Sequence, residues 1–305
     1  MSINNVCWNC HEERKTCMIG IIGGSGVYHL DGLTDTHWEK VSSPFGSPSD
    51  DLLFGRFNGH PIVFLPRHGR DHRLSPDSIN YRANIDALKR AGVTDILSIS
   101  AVGSLNERLA PGTFVLIDQY IDRTVTRDRS FFGKGLVAHV SMAHPTCRRL
   151  SGIIHRAAGE AGIQTVLGGT YLAMEGPQFS TLAESELYRS WHCDVIGMTN
   201  MPEAKLAREA EMCYASIAMV TDYDCWHPDH EQVTIEQVIK TVQANAKTAR
   251  QLVKAIIPHI QNDASASACS CRFALENAII TPPEHRDPEI IRQLDAVAGR
   301  IFGKR

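Results

Sequence analysis

Short apolar runs alternate along the chain with longer stretches that have helical periodicity. Runs with the length of β-strands lie at residues 19–22, 61–65, 96–99, 114–117, 170–174 and 214–220. Helical periodicity predicts helices at residues 80–91, 148–162 and 234–257, the last of them ended by Pro258. This alternation favours an α/β fold with a mostly parallel sheet.

The stretch of residues 194–226 combines the end of one strand, a helix and a second strand. Pro202 suits the first turn of that helix, with Thr199 or Asn200 placed to cap it. The following strand is continuously apolar, as in a strand buried on both faces. It ends at Asp222 and Asp224, where open α/β sheets bind ligands. Two such aspartates often only cap the next segment, but the neighbouring strand ends favour a site.

Further polar clusters follow other strands. The turn Gly23-Gly24-Ser25-Gly26 can offer backbone N–H groups to an anion, although a tight turn without function fits it equally. Its spacing disfavours a Rossmann cofactor site and a P-loop. Arg67 and His68 suit a phosphate-sized anion better than a surface salt-bridge cluster. A loop of small residues is expected at 100–104, and Phe179 beside a Gly-Pro pair suits an aromatic platform, although an ordinary core position is the default for a phenylalanine.

Composition narrows the classes of function. The chain has 305 residues, 43% hydrophobic and 21% charged, with a net charge of −3, which suggests neither a nucleic-acid nor a membrane surface. No apolar run approaches membrane-spanning length and the N-terminal residues lack the apolar core of a signal peptide, so we expect a cytoplasmic protein. Its nine cysteines fit reduced thiols better than a disulfide framework, with the Cys269-Ser270-Cys271 pair as a reservation. We expect three segments: a flexible extension at 1–17, a main domain at 18–262 and a tail at 263–305.

The extension contains a haem-attachment pattern, Cys7-Trp8-Asn9-Cys10-His11, with no export signal before it. Haem attachment is therefore disfavoured. Zinc binding by Cys7, Cys10, Cys17 and His11 is an alternative with unconvincing spacing.

A series of motifs in order carries a specific resemblance: GIIGGSGVY, LPRHGRDH, INYRANIDALKRAGV, SAVGSL, MEGPQFST and IGMTNMPEAKLAREAEMCYASIAMVTDYDCW. From residue 18 to about 260 the chain resembles the 5′-methylthioadenosine phosphorylases of the purine nucleoside phosphorylase family. The resemblance implies a single α/β sandwich on a distorted, mostly parallel mixed sheet, and a homotrimer. It implies phosphorolysis of 5′-methylthioadenosine to adenine and 5-methylthioribose 1-phosphate. The resemblance also implies that no metal or organic cofactor is needed and that phosphate is a co-substrate.

The resemblance also implies roles for individual residues. Phosphate would be bound by Ser25, Arg67, His68, Ser100, Ala101 and Thr199. The nucleoside would be bound by Phe179, Ile196, Gly197, Met198, Asp222, Asp224, Ile235, Val238 and Ile239, and by His139 from a neighbouring subunit. Asp222 would donate a proton to purine N7, beside Asp224. Gly197 departs from the asparagine of many eukaryotic members, which removes an amide near the base.

Other classes of function remain as alternatives. The nearest are phosphorolysis of ordinary nucleosides or of 5′-methylthioinosine. A nucleotide-binding regulatory module would keep the phosphate loops without turnover. The Asp222/Asp224 pair favours an enzyme, because a binding module has no use for a proton donor at the leaving group. Since no side-chain nucleophile is needed, Cys147 and Cys213 are interpreted as structural thiols.

Overall fold

The computed structural model describes residues 18–24, 26, 30–227 and 235–303, with the side chains of residues 235–238, 240 and 242 left out. Within these residues the chain forms one eleven-stranded sheet with helices on both faces. The strands are β1 (Met18–Gly23), β2 (Leu33–Glu39), β3 (Leu52–Phe57), β4 (His60–Pro66), β5 (Val93–Ser104), β6 (Phe114–Ile117), β7 (Gln119–Asp122), β8 (Thr165–Leu167), β9 (Thr170–Ala173), β10 (Val195–Gly197) and β11 (Cys213–Asp222).

Helices connect and cover these strands. They are α1 (Tyr81–Arg90), α2 (Arg148–Glu160), α3 (Leu182–Ser190), α4 (Asn200–Glu209), α5 (Ile235–Gln261), α6 (Pro288–Gln293) and α7 (Gly299–Phe302). The Asn80 side chain caps α1 by accepting from the Ala83 N–H group, and Gly92 follows it at φ +84°. No described helix is long and apolar enough to cross a membrane.

The sheet is mixed and mostly parallel, as expected. Six strand pairings are parallel and four are antiparallel. The main path runs β2-β3-β4-β1-β5-β10-β9-β7, and β11 pairs with β5 and β6. Strand β5 is therefore the centre of the sheet, with three partners.

The alternation of side chains along β1 and β4 divides the core between the two faces. Ile22 and Leu65 belong to the cluster under α1 and α4, whereas Ile21 and Phe64 belong to the cluster under α2 and α5. Successive strand residues point to opposite faces, so strands buried on both sides must be apolar at nearly every position. This is why the strands appear in the sequence as continuous apolar runs.

Two expectations about where elements end were wrong. Residues 100–104 are not a loop: β5 continues to Ser104, because Gly103 and Ser104 gain a new antiparallel partner in β10. Pro258 does not end α5, which runs on to Gln261. Although Pro258 lacks an N–H group for the helix, Ile257 and Ile260 are fully buried and hold the last turn on the core.

Neither residue proposed as the cap of α4 makes a capping bond. Thr199 is at the N-cap position without a side-chain cap bond, and the regular helix begins at Pro202, because Met201 has extended backbone angles. The Asn200 amide instead donates to Ser98 and to Tyr214.

The chain beyond α5 packs on the sandwich. Leu275, Leu294 and Val297 are buried in the same cluster as α1 and α4. Ala138 forms a β-bridge with Ile279, which joins this segment to the part of the chain before α2.

Candidate active site

The ends of β5, β10 and β11 meet at one place. Gly103 of β5 is paired with Ile196 of β10 on one side and with Asp222 of β11 on the other. Thr199, at the start of α4, comes two residues after β10 ends. The topology therefore joins the predicted base-binding residues and part of the predicted phosphate site in one crevice at strand ends, as α/β sheets do.

The two aspartates are linked through the backbone. Asp222 Oδ1 accepts the N–H group of Asp224 at 2.8 Å, and Asp222 Oδ2 accepts the Thr221 hydroxyl at 2.6 Å. Burial raises the pKa of Asp222, and the charge of Asp224 raises it further. The two hydrogen bonds lower this pKa but do not cancel the effect of burial. A carboxyl group with a raised pKa can hold a proton for transfer to a leaving group.

Asp224 is held in a strained backbone conformation. Its φ is +53°, and the residue is only 5% exposed. The Ser180 hydroxyl reaches both of its carboxylate oxygens, at 2.9 and 2.8 Å. Ser180 was missed by the sequence reasoning, although it directly follows Phe179. Phe179 itself is half exposed, as an aromatic platform open to a ligand would be.

Gly103 allows the aspartates to lie so close to β5. A Cβ atom there would be 3.0 Å from Asp222 Oδ1, 3.1 Å from Ile196 Cγ2 and 3.4 Å from the Cβ of Asp224. A side chain at this position would push the carboxylates away from the strand. The SAVGSL motif contained this signal, since a glycine inside a strand marks a close approach.

Thr199 presents a buried hydroxyl at the same crevice. The residue is 8% exposed, and its Oγ1 atom has no hydrogen-bond partner in the part of the chain that the structure describes. An unpaired buried hydroxyl is costly unless a ligand satisfies it. Ser100 lies nearby, because its hydroxyl donates at 3.3 Å to Asn200, the residue that follows Thr199. The neighbouring Ala101 is exposed.

Arg67 is not a surface residue. It is 1% exposed, and its guanidinium pairs with Glu203 at 2.9 and 3.1 Å. It also donates to the Ile99 carbonyl and to the Ser98 hydroxyl. Four of its five N–H groups are thus bound within the protein, which leaves one for an anion. Its predicted role in phosphate binding remains a prediction.

His68 follows Arg67 and is partly buried. Its Nδ1 atom is 2.8 Å from the Leu74 carbonyl, so Nδ1 must carry the proton. Burial, opposed by that bond and helped by the charge of Arg67, lowers the pKa of His68 to about 4. The imidazole is therefore neutral at pH 7, and Nε2 can accept a hydrogen bond from a protonated phosphate oxygen.

Gly197 is matched to Tyr171. A Cβ atom at Gly197 would be 2.0 Å from the Tyr171 hydroxyl oxygen, so the buried tyrosine occupies the space of a side chain. Met198 packs likewise against Gly176, where a Cβ atom would be 2.5 Å from its sulfur. Glycine at position 197 is thus required by Tyr171, a contact that the sequence alone did not indicate.

Other predicted site residues are not brought to this crevice by the described structure. His139 is exposed and borders a separate surface cavity of about 400 Å³, together with Phe132, Lys205 and Glu209. Ser25 lies outside the described residues, as do the side chains of Ile235 and Val238. Ile239 of α5 is half exposed. The same helix contacts the glycine turn, where Arg250 donates to the Gly26 carbonyl at 2.6 Å.

Comparisons with known proteins show the family of the chain. The family model described as "Phosphorylase superfamily" matches residues 18–258. Curated relatives include S-methyl-5′-thioadenosine phosphorylases from Cereibacter sphaeroides, at 60% identity over 93% of this chain and 98% of the relative, and from Rhodospirillum rubrum, at 59% identity over 96% and 99%.

Solved structures are also similar. A methylthioadenosine phosphorylase from an Antarctic soil metagenomic library has a TM-score of 0.85 and 46% identity, covering 93% of this chain and 99% of its own. Methylthioadenosine phosphorylase from Schistosoma mansoni in complex with adenine has a TM-score of 0.80 and 35% identity, covering 85% and 97%.

The fold and the strand-end crevice define a phosphorylase of the nucleoside type. The chain belongs to the phosphorylase superfamily and, within it, to the S-methyl-5′-thioadenosine phosphorylases.

Proposed function

We propose that this chain catalyses phosphorolysis of S-methyl-5′-thioadenosine to adenine and 5-methylthioribose 1-phosphate, with Asp222 as the general acid. The observation that carries the assignment of Asp222 is its buried carboxyl with a raised pKa at the end of β11. The names of the relatives support the choice of nucleoside.

In the proposed reaction the C1′–N9 bond of the nucleoside breaks and a phosphate oxygen bonds to C1′. Asp222 gives its proton to N7, so that the purine leaves as a neutral base. Asp224, held by Ser180, accepts from the 6-amino group. A carboxylate there repels the carbonyl oxygen of a 6-oxo purine, a mismatch that costs roughly 1–3 kcal/mol in a buried site.

Phosphate approaches C1′ of the cationic sugar on the face opposite to the leaving purine. We assign its donors to the glycine turn with Ser25, the remaining N–H group of Arg67, and the hydroxyl groups of Ser100 and Thr199. The unpaired Thr199 hydroxyl supports this assignment, because an anion oxygen would satisfy it. His68 would accept from a protonated phosphate oxygen. No metal or organic cofactor takes part in the proposal, and positioning supplies much of the rate.

The 5′-methylthio group needs an apolar wall. We assign it to Ile235, Val238 and Ile239 at the start of α5, of which Ile239 is exposed to a ligand. Met198, Phe179, Ile196 and Gly197 would complete the nucleoside site.

We propose a homotrimer in which His139 of one subunit completes the site of another. Within one chain His139 borders a cavity apart from the crevice, which supports a role in a neighbour. We expect His139→Ala to lower activity while a trimer persists by light scattering. Full activity of a monomer would contradict the shared site.

One activity panel tests the function. Base release from 5′-methylthioadenosine, adenosine, inosine and 5′-methylthioinosine is measured with and without phosphate. We expect release from 5′-methylthioadenosine to be fastest and to require phosphate or arsenate. Equal rates without phosphate would mean a hydrolase, and no turnover of any nucleoside would mean a binding module.

A further inference from the structure

Four cysteines from three distant parts of the chain meet in the fold. Cys147, Cys213, Cys269 and Cys271 have sulfur atoms that all lie within 4.8 Å of one another. Three of the four residues are less than 5% exposed, and Cys269 is partly buried. The proposed reaction uses none of them.

The backbone around each cysteine is fixed. Cys147 occupies the N-cap position of α2, and its N–H group donates to the Tyr214 carbonyl at 2.8 Å. Cys213 is the first residue of β11. Cys269 and Cys271 flank the start of a short 3₁₀ turn. The four thiols are thus presented by two elements of the sandwich and by the segment that follows α5.

The distances fit one ion better than sulfur–sulfur bonds. A tetrahedral zinc ion with Zn–S bonds of about 2.3 Å places its sulfurs about 3.8 Å apart. The sulfurs of Cys147 and Cys269 are 3.6 Å apart. A disulfide would need about 2.05 Å.

Positive charges surround the cluster. Arg208 donates to Cys271 Sγ at 3.5 Å, and Arg149 interacts with Cys213. Four thiolates around a divalent cation have a net charge of −2, which Arg208 partly offsets, whereas Arg149 is also paired with Asp95 and Asp263.

We propose that Cys147, Cys213, Cys269 and Cys271 form a closed, structural zinc site. Each thiol loses one proton as its sulfur bonds to the ion, so binding releases four protons and changes no oxidation state. With four sulfur ligands no coordination position stays open for substrate, which makes the site structural and not catalytic.

The site would attach the end of the chain to the sandwich. Cys271 is followed by Leu275 and Ala278, and the Ala278 carbonyl accepts the N–H group of His139 at 2.8 Å. The zinc ion would therefore also stabilise the segment that carries His139.

The test begins with the full-length protein, purified from cells grown with zinc and iron and without chelators. We expect elemental analysis to find about one zinc ion per chain, released by a mercurial reagent. Exchange into cobalt should give the intense visible bands of tetrahedral cobalt thiolate. Bound iron would overturn the assignment to zinc. A metal-free protein that fails to take up added zinc, whether its thiols are free or joined as disulfides by mass spectrometry, would overturn the site.

Variants locate the ion. Cys271→Ser should lose zinc, whereas Cys193→Ser, at a buried cysteine outside the cluster, should keep it. The combined change Cys7→Ser/Cys10→Ser/Cys17→Ser should also keep it, and loss of zinc there would place the ion in the extension. If Cys271→Ser does not fold, the cobalt spectrum of the triple variant tests the site instead. That variant retains only the four cysteines of the cluster, Cys193 and Cys225, so tetrahedral cobalt thiolate bands would place the ion in the cluster and their absence would overturn the site.

Discussion

Substitution of Asp222 by asparagine separates catalysis from stability. The amide keeps the size of the side chain, and its oxygen can still accept the Asp224 N–H group that now donates at 2.8 Å. It lacks the transferable proton. We therefore expect kcat to fall by roughly 10²–10⁴, or about 3–5 kcal/mol of activation free energy, with a smaller change in binding of 5′-methylthioadenosine.

The raised pKa of Asp222 predicts the sign of the stability change. An acid whose pKa is higher in the folded state contributes stability that is fully present below its unfolded pKa and is lost as pH rises through the folded pKa. Above the folded-state pKa the ionised carboxylate therefore costs stability, which asparagine does not. The melting temperature of Asp222→Asn at pH 7 should equal or exceed that of the wild type.

The assay pairs kinetics with thermal unfolding. Adenine release is followed with saturating phosphate across pH, and the wild-type kcat should decline as pH rises above the pKa of Asp222. Asp31→Asn is the control, because Asp31 is almost fully exposed. If Asp222→Asn is as active as the wild type but melts lower, the aspartates only cap the following segment and the reasoning is refuted.

Three further predictions concern the surroundings of the site. Glu203→Gln leaves Arg67 buried without a counter-charge, so chemical denaturation should show a loss of roughly 3–5 kcal/mol in the free energy of unfolding. Gly197→Ala forces a methyl group against the Tyr171 hydroxyl, and calorimetry should show a destabilisation of about 1–3 kcal/mol. Val238→Asp should reduce kcat/KM for 5′-methylthioadenosine far more than for adenosine, because an apolar 5′ group is worth roughly 1–3 kcal/mol.

Matched variants control each of these. Glu39→Gln alters an exposed glutamate, Gly152→Ala alters a helical glycine with nothing within 4 Å of the added carbon, and Val166→Asp alters an exposed valine of β8. Wild-type stability of Glu203→Gln or of Gly197→Ala would contradict the first two predictions. An equal loss of kcat/KM for both nucleosides would mean that Val238 packs in the core and does not contact the 5′ group.

The sequence by itself determined the class of fold and the position of the strand ends. Buried strands require apolar residues on both faces, so β1, β4 and β11 were visible as apolar runs, and the helix predicted at 80–91 matches α1. Asp222 and Asp224 were predicted as site residues because several other polar clusters also follow strand ends. These patterns involve residues close together in the sequence, so they can be recognised without knowing which distant residues they contact.

Only the tertiary structure decided which distant residues meet. The pairing of Arg67 with Glu203, of Ser180 with Asp224 and of Gly197 with Tyr171 depends on strand order and register. The assembly of Cys147 and Cys213 with Cys269 and Cys271 likewise joins residues up to 124 positions apart. No local periodicity encodes such contacts, because they arise from the packing of whole elements against one another.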